Sequence, residues 1–261
     1  MRWIDGRRQI CPLLLLLVLM TDCGAIGLAQ QTQPPAPPAP STDVQSPAAS
    51  MPAVPAAPRS TVTPRFMVVL DAAHGGSDTG ARFSSGLLER DITLSFSVRL
   101  RSTLSAHGIG VVTTREADGN LSSTARAEIA NGATASACIL IHATATGSGV
   151  HLYTSSLAPG PLAKFMPWQT AQSAYVTQSL KLSSEIDSAL AHAEIPVTLG
   201  RTSLQPMDSF ACPTVAVEIA PLQEGATTRG KDISDIGYQK SVIDALTAAI
   251  DQWRNDWRQQ P

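Results

Sequence analysis

The sequence predicts a single α/β domain: a twisted, mostly parallel (mixed) central sheet of about six strands, flanked by helices on both faces. Two observations lead there. Short apolar β-type runs alternate with longer stretches of helical periodicity, and polar side chains recur where the apolar runs stop. Polar residues at the carboxyl ends of adjacent strands converge on one crevice, which is where open α/β sheets place their sites. The length of 261 residues suffices for one well-buried domain plus appendages, and no internal repeat is visible.

Residues 1–29 read as an export signal. Arg2, Arg7 and Arg8 make a positive start, Leu13 to Met20 an unbroken apolar core, and Gly27 and Ala29 the small residues of a cut before Gln30. The apolar run is too short to span a bilayer comfortably as a permanent helix. Cys23 offers a lipid anchor as the alternative, against which Asp22 argues, because a small residue is expected before an acylated cysteine. From 30 to 64 the chain is rich in Pro, Ala, Ser and Thr. That composition buries too little surface to offset its ordering entropy, so a disordered tether is expected.

The folded domain is expected over 65–261. Strand signals lie at 66–71, 109–114, 138–143, 149–154 and 214–219, with a weaker one near 197–204. Ile92, Phe96, Leu100 and Leu104 recur every four residues in a helix from Glu89 to His107, which Gly108 ends. Further helices are expected over 121–133, 169–192 and 238–257, the last with Val242, Leu246, Ile250 and Trp253 on one face.

A net charge of −2 leaves no basic footprint, which argues against a nucleic-acid partner. Membrane contact is expected only through the signal or the alternative anchor. Behind the signal, Cys138 and Cys212 remain, both in apolar runs. Free buried thiols are the expectation; an oxidising compartment permits a disulfide if their strands are neighbours.

Four side chains at the ends of runs carry chemistry. Met67 to Leu70 leads into Asp71-Ala72-Ala73-His74-Gly75-Gly76, Cys138 to Ile141 ends at His142, and Thr214 to Val217 ends at Glu218. Glu89 follows a glycine-containing turn and opens a helix. Two histidines, a glutamate and a spare glutamate are what a hydrolytic zinc centre requires: three protein ligands, an open position for water, and a base. The glycines after His74 match neither a phosphate-cradling nor a dinucleotide pattern. Asp71 reads as a partner for a ligand histidine or a turn former. Arg126 and Arg201 read as candidates for substrate carboxylates or as surface ion pairs. His107 and His192 read as helix-end surface residues, His151 as facing either side of its strand, and Trp168, Trp253 and Trp257 as packing.

Seven ordered segments, 71–76, 78–81, 86–94, 121–131, 141–144, 149–153 and 213–218, resemble one family. They match Asp-Pro-Gly-His-Gly-Gly, Asp-x-Gly-Ala, Gly-Leu-x-Glu-x-Asp-x-x-Leu, Leu-x-x-Arg-x-x-x-Ala-Asn, Ser-Ile-His-Ala-Asn, Gly-Val-Glu-Val-Tyr and Pro-x-Val-Leu-Val-Glu-x-Gly-Phe. These are motifs of the zinc-dependent N-acetylmuramoyl-L-alanine amidases of the type 3 class, which cleave bacterial peptidoglycan. The resemblance implies Zn²⁺ on His74, Glu89 and His142, with Glu218 as the catalytic glutamate. It also implies muramyl stem peptides of peptidoglycan as substrate, and the export signal sets the expected location as periplasmic or wall-associated. Division-associated members of the family carry an added helix that a partner displaces. No such element is evident between 142 and 218, so activity without an activator from cell division or wall assembly is expected.

The chain departs from the motifs at Ala72 and Ala73, where Pro-Gly is expected, at Thr144 in place of Asn, and at Ile219-Ala220-Pro221-Leu222 after Glu218. These departures motivate the alternative of a non-catalytic, zinc-retaining module that binds or regulates the cell wall. A zinc hydrolase for a different amide is a third reading.

Overall fold

The computed structural model describes residues 66–162, 167–225 and 229–258, and the side chains up to 256. The export signal, Cys23, the tether over 30–64 and the packing of Trp257 therefore lie outside the described residues. Six strands form one sheet: β1 (Met67–Ala72), β2 (Gly110–Thr113), β3 (Ala137–Ala143), β4 (Val150–Ser155), β5 (Val197–Thr202) and β6 (Thr214–Ile219). Their order is β2-β1-β3-β6-β4-β5. All neighbours are parallel except β4 and β6, which run antiparallel, so the sheet is mixed as expected.

Both faces of the sheet are covered because its central strands are apolar on both sides. On one face Val68, Leu70, Ile139, Ile141, Val215 and Val217 meet the apolar stripes of α1 (Glu89–Ala106), α3 (Val176–His192) and α4 (Ile236–Arg258). The i, i+4 spacing of Ile92, Phe96, Leu100 and Leu104 turns that stripe of α1 inward, and all four are buried. On the other face Val69, Cys138, Leu140 and Ala216 pack under α2 (Ser123–Gly132) and the segment from Met207 to Cys212. Ser122 caps α2, accepting from the Ala125 amide. No helix among the described residues is long and apolar enough to cross a membrane.

Two expectations are corrected. Cys138 and Cys212 are joined in a disulfide. Cys138 pairs in register with Thr214, two residues beyond Cys212, which leaves the two Cα atoms 6.1 Å apart, within bridging range. Apolar burial alone could not distinguish that from two free thiols. The helix expected over 169–192 is also broken: a 3₁₀ segment, Trp168–Ala174, precedes α3 and is separated from it at Tyr175. Buried Gln172 donates there to the carbonyls of Phe210 and Cys212 and accepts from Ser179. Those polar demands outrank continuity of the helix.

Candidate metal centre

β1, β3 and β6 are parallel neighbours or next neighbours, so their carboxyl ends meet on one edge. His74 follows β1, His142 is the sixth residue of β3, and Glu218 the fifth of β6. His142 and Glu218 are paired in register and therefore point to the same face. Glu89, the first residue of α1, reaches the same edge from above.

The structure brings His74, Glu89 and His142 together, with one donor atom from each within 4.8 Å of the others. Nε2 of His74 lies 3.1 Å from Oε2 of Glu89, and Nδ1 of His142 lies 3.1 Å from Oε1. Each imidazole contacts a different oxygen of Glu89, and the three donors, one per residue, lie close enough together to close on a single ion with small side-chain adjustments. The donor set, two imidazoles and one carboxylate, suits zinc. Glu89 is buried while the two imidazoles are about one-fifth exposed, which leaves one side open to solvent.

Burial would push the Glu89 carboxyl up, but hydrogen bonds from His142, His74 and the amides of Ala81 and Ala143 hold it far below the ordinary carboxylate range. His74 moves the other way. Its hydrogen bond to Glu89 raises it against the effect of burial, and Asp78, 2.9 Å from Nδ1, raises it further. The Asp78 contact also fixes the ring so that Nε2 faces the cluster.

The backbone around His74 is special. His74 itself has φ 64, a left-handed conformation that swings its ring off the strand line. Gly80 has φ 62, and a Cβ there would lie 2.6 Å from both Oε2 of Glu89 and Cδ2 of His74. Only a glycine lets the turn pass that close to the side chains of Glu89 and His74.

Arg126 and Asp71 are corrected as a pair. They form a buried ion pair at 2.7 Å, and Arg126 also donates to the carbonyls of Ala72 and His74. Arg115, which the sequence reading missed, donates to the carbonyls of Ala72, Ala73 and Arg90. The two guanidiniums supply the donors that β1 loses as it leaves the sheet. Arg126 thus braces the histidine turn and is closed to substrate. Arg201 donates to the carbonyls of Ser155 and Leu157. His107 bonds Asp251, tying the end of α1 to α4, and His192 bonds the Ser188 carbonyl. Trp253 is buried, whereas Trp168 is 46% exposed.

Beside the cluster a cleft of about 290 Å³ is lined by His142, Tyr153, Thr202, Leu204, Ala216 and Glu218. The Tyr153 ring lies against Gly200, whose added Cβ would fall 2.8 Å from it. Burial, aided by the Glu218 charge, raises the Tyr153 hydroxyl, keeping it a neutral donor in this cleft. The departures from the motifs keep the framework closed. Ala73 donates to the Ile141 carbonyl, Thr144 to that of Ile219, and Ala220 to that of Gly149.

The model of the family described as N-acetylmuramoyl-L-alanine amidase matches residues 68–252. The N-acetylmuramoyl-L-alanine amidase AmiA of Escherichia coli (strain K12) is 35% identical over 106 residues, covering 38% of this chain and 37% of that protein. The amidase AmiC of Neisseria meningitidis serogroup B is 31% identical over 134 residues, covering 48% of this chain and 32% of its own. The chain thus spans about a third of the length of these curated relatives. Among solved structures, the N-acetylmuramyl-L-alanine amidase Ami1 of Mycobacterium smegmatis superposes with a TM-score of 0.58 at 21% identity, covering 73% of this chain and 97% of that one.

Proposed function

The chain belongs to the N-acetylmuramoyl-L-alanine amidase family, and on that footing we propose that it hydrolyses the amide between N-acetylmuramic acid and L-alanine in peptidoglycan. The observation that carries the reading is the convergence of His74, Glu89 and His142 within 4.8 Å, with Glu218 beside His142. A zinc ion held by these three side chains would act as a Lewis acid toward the amide carbonyl and lower the pKa of a bound water.

Glu218 takes the proton from the attacking water and later delivers it to the departing amine of L-alanine. It is 29% exposed, open enough to meet water and substrate. Glu89, anchored by two amides, keeps its negative charge and holds the two histidines apart at ligand spacing. The cleft past Glu218 toward Tyr153 and Leu204 receives the substrate. Among the described residues no element covers the two ligand imidazoles, and activity without a displacing partner is the expectation.

The protein works outside the cytoplasm, in the periplasm or at the wall. Its disulfide supports this, because such bridges persist in oxidising compartments.

Purified sacculi incubated with the wild-type protein should release stem peptides bearing new amino-terminal alanine. Glu218→Ala should bind zinc and release none. Release by that variant at the wild-type rate would remove Glu218 from the scheme, and no release by the zinc-loaded wild type would favour the non-catalytic alternative.

A further inference from the structure

The Glu218 side chain makes one hydrogen bond among the described residues, and its partner is a side chain with no role in the scheme above. Nδ1 of His151 stands 2.7 Å from Oε2 of Glu218. The sheet builds this contact. Because β4 runs antiparallel to β6, His151, near the start of β4, lies opposite Glu218, near the end of β6. A parallel β4 would have carried His151 to the far edge.

The imidazole is fixed on its other sides. A Cβ at Gly147 would fall 2.4 Å from Cε1 and 2.5 Å from Nε2, so the backbone before β4 closes over the outer edge of the ring. The Tyr153 ring meets it nearly perpendicular, with centroids 6.5 Å apart. The side chain is 13% exposed. A base oriented by a third, immobilised group is a recurring arrangement in proton-transfer sites.

We propose that His151 is a positioning residue for Glu218: its Nδ1–H donates to Oε2 and leaves Oε1 as the oxygen presented to the reacting water. The inference rests on the assignment of Glu218 as the base. An ionised carboxylate only accepts, so the proton of this bond resides on Nδ1. The proton removed from water goes to Oε1 and leaves from Oε1 to the amine; none passes to His151, which is unchanged at the end of the cycle. The motif that this strand resembles, Gly-Val-Glu-Val-Tyr, has a glutamate at the position of His151. While ionised, that glutamate could not donate to Glu218, so the histidine gives this chain a different anchor for its base.

The test uses His151→Leu and His151→Asn in the zinc-loaded protein, alongside ¹⁵N NMR of the His151 ring in wild type and Glu218→Ala. His151→Leu should lower kcat about 10–100-fold, as loss of a partner that orients a site residue does, with KM changed less than about twofold. His151→Asn, whose amide nitrogen can occupy the Nδ1 position, should recover most of the loss. In the wild type the ring should be the Nδ1–H tautomer, and Glu218→Ala should abolish that preference. Turnover of His151→Leu within about twofold of wild type, an asparagine variant as slow as the leucine one, or a tautomer indifferent to Glu218 would each overturn the proposal. A wild type that releases no product counts against the amidase reading alone, and the tautomer then decides the role of His151.

Discussion

Opening the Cys138–Cys212 bridge should lower the thermal midpoint by ~9–18 °C. The bridge closes a loop with a sequence separation of 74, which contains β4, α3 and β5. In the chain-entropy model a loop of that size restricts the unfolded chain by about 4.4 kcal/mol, near the upper end of the 2–5 kcal/mol seen for native bridges. For a domain of this size each kcal/mol moves the midpoint by about 2–4 °C, which gives the stated range. The two cysteines sit at the start of β3 and just before β6, and the other ends of those strands carry His142 and Glu218. Zinc stoichiometry at room temperature should therefore survive while the melt shifts. Calorimetry of the oxidised protein, the reduced protein and the Cys138→Ala/Cys212→Ala double variant measures it. A reduced protein melting within about 2 °C of the oxidised one would refute the reasoning.

Three further outcomes follow from the same geometry. Gly80→Ala forces a Cβ to 2.6 Å from Oε2 of Glu89 and from the ring carbon Cδ2 of His74, so zinc affinity in a chelator competition should drop about 10–100-fold; unchanged affinity would mean that the turn is free to shift. Tyr238 shares its one hydroxyl proton between the carbonyls of Ala220 and Gly149, the latter already bonded by the Ala220 amide, so Tyr238→Phe should cost about 1 kcal/mol in urea unfolding, and no loss would show that the Ala220 carbonyl does not depend on this donor. In chelator, the raised His74 stabilises the fold fully below its ordinary 6.5, and that contribution is lost as pH rises through the higher folded value. The depressed Glu89 contributes above its ordinary 4.5 and loses that as pH falls. Urea midpoints of the metal-free protein should thus decline from pH 6 toward alkaline pH, and His74→Ala should flatten that decline; an equal slope in both proteins would contradict it.

Much of the fold was legible because its strands and helices carry clean periodicity: the α1 stripe and the apolar runs of β1, β3 and β6 needed no tertiary information. The four candidate site residues were legible for the same reason, each standing where such a run ends or a helix begins. What escaped depends on register between segments far apart in sequence. His151 could face either side of its strand until β4 was paired antiparallel to β6. The disulfide needed the pairing of Cys138 with Thr214. Arg126 reads from the sequence as a substrate or surface cation and Arg115 is passed over, because nothing local announces that β1 leaves its last carbonyls without strand partners. Gln172 broke an otherwise continuous helical pattern by bonding to carbonyls some 40 residues on.

Metal analysis combined with X-ray absorption on the purified protein probes the centre itself. One zinc per chain is expected, bound by two imidazole nitrogens and carboxylate oxygen, and lost in Glu89→Ala. Zinc retained at full stoichiometry in that variant, or an absorption spectrum with no imidazole around the metal, would contradict the site built from His74, Glu89 and His142.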